Sequence, residues 1–173
     1  LELAHAVLER LKDPERAIDA FVRVRQLDPQ RVEPIEQLRV LYEAHQEWDS
    51  LRALLCDAVD TFSEAGVVVP YLAQLARLEA DNFEDVDRAI ATYTRLLRLA
   101  PDHRGARADH ERLLERHGRW SDLVEALVDR LGGIDDDDDR IELHVRIASI
   151  CVARLDALSL AEVHLSDVLD HRP

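Results

Sequence analysis

The feature that most restricts what this chain can fold into is that it repeats itself at an offset of 72 residues. "DPERAI" at 13–18 returns as "DVDRAI" at 85–90. Pro29 falls on Pro101 and Pro173, Trp48 on Trp120, His45 on His117, Ala4 on Ala76 and Ala148, and Ala17 on Ala89 and Ala161. An ungapped comparison of residues 1–61 with 73–133 gives 16 identities, where composition alone gives roughly 5. Self-similarity at a fixed period marks stacked units, none of which buries its apolar face alone.

Each block divides again, because helical apolar spacing restarts after the proline and after the Trp-containing turn, giving units of about 36 residues with two helices each. Asp13 and Pro14 have the form of an N-cap followed by Pro at the first helical position, and Ala17, Phe21, Val24 and Leu27 form one apolar stripe before Pro29 stops the helix. Helices are predicted near 33–45, with Leu38, Leu41 and Tyr42 inward, and near 48–62, with Leu51, Leu55 and Ala58 inward. The pattern returns near 69–81, 86–100, 103–117, 120–131, 139–154 and 158–171, with Gly118 and Gly132 as C-terminal stops. Together with the helix that "LELAHAVLER" ends, this makes ten helices in five antiparallel hairpins: an all-α solenoid in a single array over 1–173, with units at 1–31, 32–66, 67–102, 103–133 and 134–173. Only 5 Gly and 6 Pro, in a chain rich in Ala, Leu, Arg, Glu and Asp, agree with helices. The recurring alanines leave room for close helix approach within hairpins. The chain opens inside a first helix and closes on the proline that ends a second one, so flanking units of a longer protein are expected, and the bare end repeats offer a surface for self-association.

These residues resemble the tetratricopeptide repeat (TPR) family, whose unit has Leu and a small residue in its first helix, Ala and an aromatic in its second, and Pro at the end. The pattern reads here as Leu3-Ala4, Ala17, Phe21 and Pro29; as Leu75-Ala76, Ala89, Tyr93 and Pro101; and as Ile147-Ala148, Ala161, Leu165 and Pro173. Units two and four depart from it, with Leu51 and Leu123 in place of the second-helix Ala and no terminal Pro. The resemblance implies a right-handed superhelix whose first helices line a concave groove that binds a peptide or helix of another protein, without catalysis. The positions it assigns to the groove include Glu36, Gln37, Val40, Glu43, Ala73, Gln74, Arg77, Asp109, Arg112, Arg116, Arg146 and Ser149. They lack the Lys, Arg and Asn pattern of a TPR clamp for a C-terminal carboxylate.

A net charge of -14 argues against nucleic acid as the partner, since phosphate neutralisation needs clustered cations. An RNA-binding helical repeat is therefore the third reading, behind a protein-interaction module and a regulatory or structural segment of a larger enzyme or assembly. The charge is uneven, -6 over 32–66 and again over 134–173 but 0 over 103–133. Glu33, Glu36 and Glu43 could meet one end of a partner, and Arg112 and Arg116 the other. The competing reading is a solubilising surface with local ion pairs. Cys56 and Cys151 lack disulfide or zinc spacing and read as small apolar residues in helices. No run approaches the ~18 apolar residues of a membrane span and no basic-then-apolar signal opens the chain, which favours the cytoplasm.

His103, His110 and His117 are spaced by seven, about 10 Å along a helix, too far to share one ion. His110 reads as a packed residue at an inward Leu position. No HExxH, nucleophile elbow or glycine-rich phosphate loop occurs, so no catalytic residue, metal or cofactor is expected. The run Asp135–Asp139 lacks the Gly and Glu an EF-hand loop requires further on, where Arg140 and Arg146 stand. It is read as a joint between repeats, with Asp139 capping a helix that starts at Arg140 and Glu142 as its capping-box partner.

Overall fold

The computed structural model describes residues 13–171, which form helices joined by short turns, with no strand among the described residues. The helices are α1 (Pro14–Leu27), α2 (Val32–Ala44), α3 (Trp48–Thr61), α4 (Ala65–Asp81), α5 (Val86–Leu99), α6 (Arg104–Arg116), α7 (Trp120–Leu131), α8 (Asp137–Arg154) and α9 (Leu158–His171). The expected first helix at "LELAHAVLER" lies outside the described residues. Contacts group the chain into two compact units, with the boundary between Arg107 and Ala108.

In the first unit α1 packs on α2, α2 on α3, α3 on α4 and α4 on α5; in the second, α7 packs on α8 and α8 on α9. The register that recurs in sequence recurs in geometry. Asp13 caps α1 by accepting from the Arg16 amide at 3.1 Å, and Asp85 caps α5 by accepting from the Arg88 amide at 3.3 Å. Each satisfies an amide that the first helical turn leaves without a partner. The turns repeat too. Gln46 and Gly118, one period apart, both take positive φ (57° and 66°), as do Glu84 and Asp156 (51° and 52°). Ala17, Ala76, Ala89, Ala148 and Ala161 are all buried, which is what close helix contact within hairpins requires.

Phe21 and Tyr93 fill equivalent core positions. Their third equivalent, Leu165, does not: it is 44% exposed, and Leu160, Val163 and Leu169 are exposed too on α9, which among the described residues packs on α8. The stripe expected on α1 also ends early, since Ala17 and Phe21 are buried but Leu27, in the last turn, is 87% exposed. Gly132 follows the last residue of α7 as expected, but with right-handed φ and ψ of -64° and -14°.

Two helix starts differ from expectation. α4 begins at Ala65 and carries Pro70 inside it; the Val67 and Val68 amides bond the Glu64 carbonyl at 3.0 Å, so the helix is already under way before the proline. Pro70 is tolerated because it sits near the N-terminal end, where few carbonyls precede it. In the aspartate run the cap is Asp136, not Asp139. Its side chain accepts from the Asp139 amide at 3.0 Å, and the helix starts at Asp137. Asp137, Asp138 and Asp139 then occupy the first turn, where carboxylates face the positive end of the helix dipole. Asp137 pairs with Arg140, which offsets part of their mutual repulsion.

Candidate functional site

In the first unit, α2 and α4 border a cleft of about 480 Å3. Glu36, Glu43, Ala73, Gln74 and Arg77, five of the groove positions expected from sequence, line it. Gln37 is half-buried on α2 and does not line it. The wall also includes Arg39, Trp48, Tyr71, Asp81 and Asn82.

The polar chemistry of the cleft centres on Arg39. Its guanidinium holds Glu36 Oε2 through Nη2 at 2.8 Å and Nε at 3.1 Å, and reaches across to Gln74 Oε1 at 3.3 Å. Tyr71, buried at the floor, donates its hydroxyl to Glu36. Burial pushes the Tyr71 hydroxyl up to about 12, and the hydrogen bond and charge of Glu36 act in the same direction. The four side chains form a connected polar network in the cleft, which the half-buried Trp48 also lines. Sequence reasoning missed Arg39 and Tyr71. The available signal was the 35-residue separation between Arg39 and Gln74, which recurs between Glu111 and Arg146.

The second unit arranges the same register positions differently. Arg146 on α8 donates to Glu111 Oε2 at 2.6 Å and to Glu115 Oε1 at 2.7 Å, bridging to α6, and Arg130 of α7 stands 3.6 Å from Glu111. Burial opposes the Arg146 charge, but hydrogen bonds to Glu115 and Glu111 outweigh it, so its pKa stands above the usual arginine value. Arg154 lies over the ring of Trp120, 4.8 Å from its centroid. Glu111 and Glu115 both serve Arg146. Arg112 pairs with Asp109 at 2.7 Å and Arg116 is exposed at the end of α6. The Ser149 hydroxyl donates to the Val145 carbonyl at 2.9 Å within its own helix.

The three histidines spaced by seven take three separate roles. His103 Nδ1 accepts from the Ala106 amide at 3.0 Å at the start of α6, His110 is buried, and His117 is exposed in the following turn. Burial lowers the pKa of His110, outweighing Glu111 and Asp122 nearby. Cys56 and Cys151 are free, half-buried and buried respectively, and burial raises both thiols.

This architecture is shared with solved TPR structures. A crystal structure of YrrB, described as a TPR protein with an unusual peptide-binding site, matches with a TM-score of 0.55 at 14% identity over 99% of this chain and 84% of that one. A crystal structure of MamA matches with a TM-score of 0.54 at 16% identity, over 95% of this chain and 91% of that one. A MamA fragment from Desulfovibrio magneticus RS-1 matches with a TM-score of 0.53 at 14% identity, over 98% and 91%. No family model and no curated protein matches the chain. At these identities the likeness establishes the fold alone: this is a TPR-like helical repeat. No helix among the described residues is long and apolar enough to cross a membrane.

Proposed function

We propose that the chain is a non-catalytic scaffold module that binds a short peptide or helix of a partner protein in the cleft between α2 and α4. The observation that carries this reading is the cleft itself: an opening of about 480 Å3 at the expected groove positions, walled by an aromatic ring and by polar groups already fixed in place. A wall that is ordered beforehand lowers the entropy cost of binding. The rim carries Glu43 and Asp81, and with a net charge of -14 on the chain the favoured ligand has an apolar or aromatic anchor flanked by basic residues. The same charge disfavours RNA. The peptide-binding site named for YrrB supports a peptide rather than a small molecule. In the second unit, Asp109, Arg112, Arg116, Arg146 and Ser149 act as structural or solubilising groups rather than as contacts. Self-association is a secondary reading, supported by exposed Leu160, Val163, Leu165 and Leu169 on α9.

Selection from a random peptide display library, followed by amide-exchange mapping of the best binder, tests the main reading. Basic-aromatic sequences that protect residues 36–43 and 71–82 are the expected outcome. Protection confined to other helices, or no enrichment, contradicts it.

A further inference from the structure

Hairpin α8–α9 contains a cluster that the peptide-binding reading does not use. His144 of α8 and His164 of α9 are both buried, and their Nδ1 atoms lie 3.0 Å apart. Asp167, one turn along α9 from His164, places Oδ2 3.5 Å from His144 Nδ1 and is half-exposed. One ligand atom from each residue falls within 4.8 Å of the others.

Two features separate this cluster from an ordinary packed histidine pair. The first is spacing. Ligand atoms about 2.0–2.2 Å from a zinc ion at tetrahedral angles stand about 3.3–3.6 Å from one another; the two separations from His144 Nδ1, 3.0 and 3.5 Å, lie close to that value, and all three ligand atoms lie within 4.8 Å of one another. The second is register. One period earlier the positions of His144, His164 and Asp167 hold Leu72, Thr92 and Arg95, and the packed Leu72 shows that the hairpin needs no imidazole there to fold. Two buried imidazoles and a carboxylate thus replace a core leucine, a threonine and a surface arginine.

The geometry points to a binding site for a divalent transition-metal ion, Zn2+ foremost, held by His144 Nδ1, His164 Nδ1 and an Asp167 carboxylate oxygen, with water on the solvent side beside Asp167. Two imidazoles and a carboxylate select this class of ion over Ca2+ or Mg2+, which take oxygen ligands. Both imidazoles bind as neutral rings, and the ion replaces the hydrogen bond they share in its absence. The ion ties α8 to α9 and so acts as a structural clip on the last hairpin. A sequence signal was present in the i, i+3 spacing of His164 and Asp167, but the third ligand comes from another helix, which spacing along one helix does not show.

The test uses Co2+ and Zn2+ alone, on the full chain. One equivalent of Co2+ should give the visible absorption of a tetrahedral site, discharged by Zn2+, and Zn2+ should raise the melting temperature in a way that a chelator reverses. His144→Leu/His164→Thr, which restores the residues of the preceding block, should keep the helical circular dichroism and lose the Co2+ signal. Should that variant not fold, Asp167→Asn decides the matter, because its side chain is half-exposed; it should weaken Zn2+ affinity by at least about tenfold. Absence of stoichiometric binding, or binding unaltered in Asp167→Asn, overturns the site, the latter by placing the ion on the exposed histidines elsewhere.

Discussion

Residues 36–82 and 108–154 are the same stretch of the repeat one period apart, and they treat the space between neighbouring first helices in opposite ways. In the earlier stretch Arg39 faces Gln74, a neutral partner at 3.3 Å, and a cleft remains that Trp48 and Asn82 both line. In the later one Glu111 faces Arg146 at 2.6 Å, Glu115 adds a second bond, and Arg154 covers Trp120. Both keep a glutamate at the next turn, Glu43 and Glu115, and both keep the tryptophan. Three of the substitutions between the stretches, at 39/111, 74/146 and 82/154, supply the bridging contacts, while Glu36 and Tyr71 of the open surface give way to Ala108 and Leu143. The backbone of a repeat fixes where side chains meet, and the residue types at those meeting points decide whether the surface is available to a partner.

What the two stretches share should be the most costly to disturb. Ala89 is fully buried where α5 meets α4, so Ala89→Leu should overpack that contact and cost about 1–3 kcal/mol; an unchanged melting temperature would contradict the helix register. Next comes the bridge itself. Glu111 is well covered, with a side chain only 12% exposed, and answers two arginines. Glu111→Gln should cost about 1–2 kcal/mol by chemical denaturation, less than a fully buried pair because Arg146 is partly solvated. Arg39→Gln in the earlier stretch should cost less than Glu111→Gln, and the reverse order would undo the contrast.

The histidine at 110 gives the second stretch a pH dependence that the first lacks, since its counterpart is Leu38. Burial lowers the folded-state pKa of His110 below 6.5. The unfolded chain then binds more protons as pH falls through that value, so stability is intact above it and declines below it. Melting curves at about pH 7.5 and pH 5.5 should show His110→Leu removing part of the acid destabilisation. A smaller effect is expected in the turns. Gln46 carries the left-handed conformation that Gly118 takes one period later. Gln46→Gly should stabilise by up to about 1 kcal/mol and Gly118→Gln should destabilise by a similar amount.

Much of the fold was legible because the repeat states each structural rule twice: Asp13 and Asp85 both cap, and Ala17 and Ala89 both pack, so position and role reinforce each other. The aspartate run was legible as a joint but not in detail, because any of five neighbouring carboxylates has the chemistry of a cap and the start of α8 selects Asp136. Part of the cleft lining, Glu36, Glu43, Ala73, Gln74 and Arg77, coincides with groove positions that the family resemblance implied. Arg39, Tyr71 and the bridge at Arg146 were not legible, because they depend on which side chains of successive hairpins meet. Leu165 failed for a related reason: periodicity assigns it to a core, but burial requires a neighbouring helix, and its face is exposed.

The most direct measurement is the affinity of one selected basic-aromatic peptide for the wild-type chain and for the variant Arg39→Glu/Gln74→Arg/Asn82→Arg, which installs in the first stretch the three residues of the second. With the variant's fold verified by circular dichroism, closing the cleft should weaken binding by at least about tenfold, or ~1.4 kcal/mol. An unchanged affinity would mean that the peptide does not use this cleft.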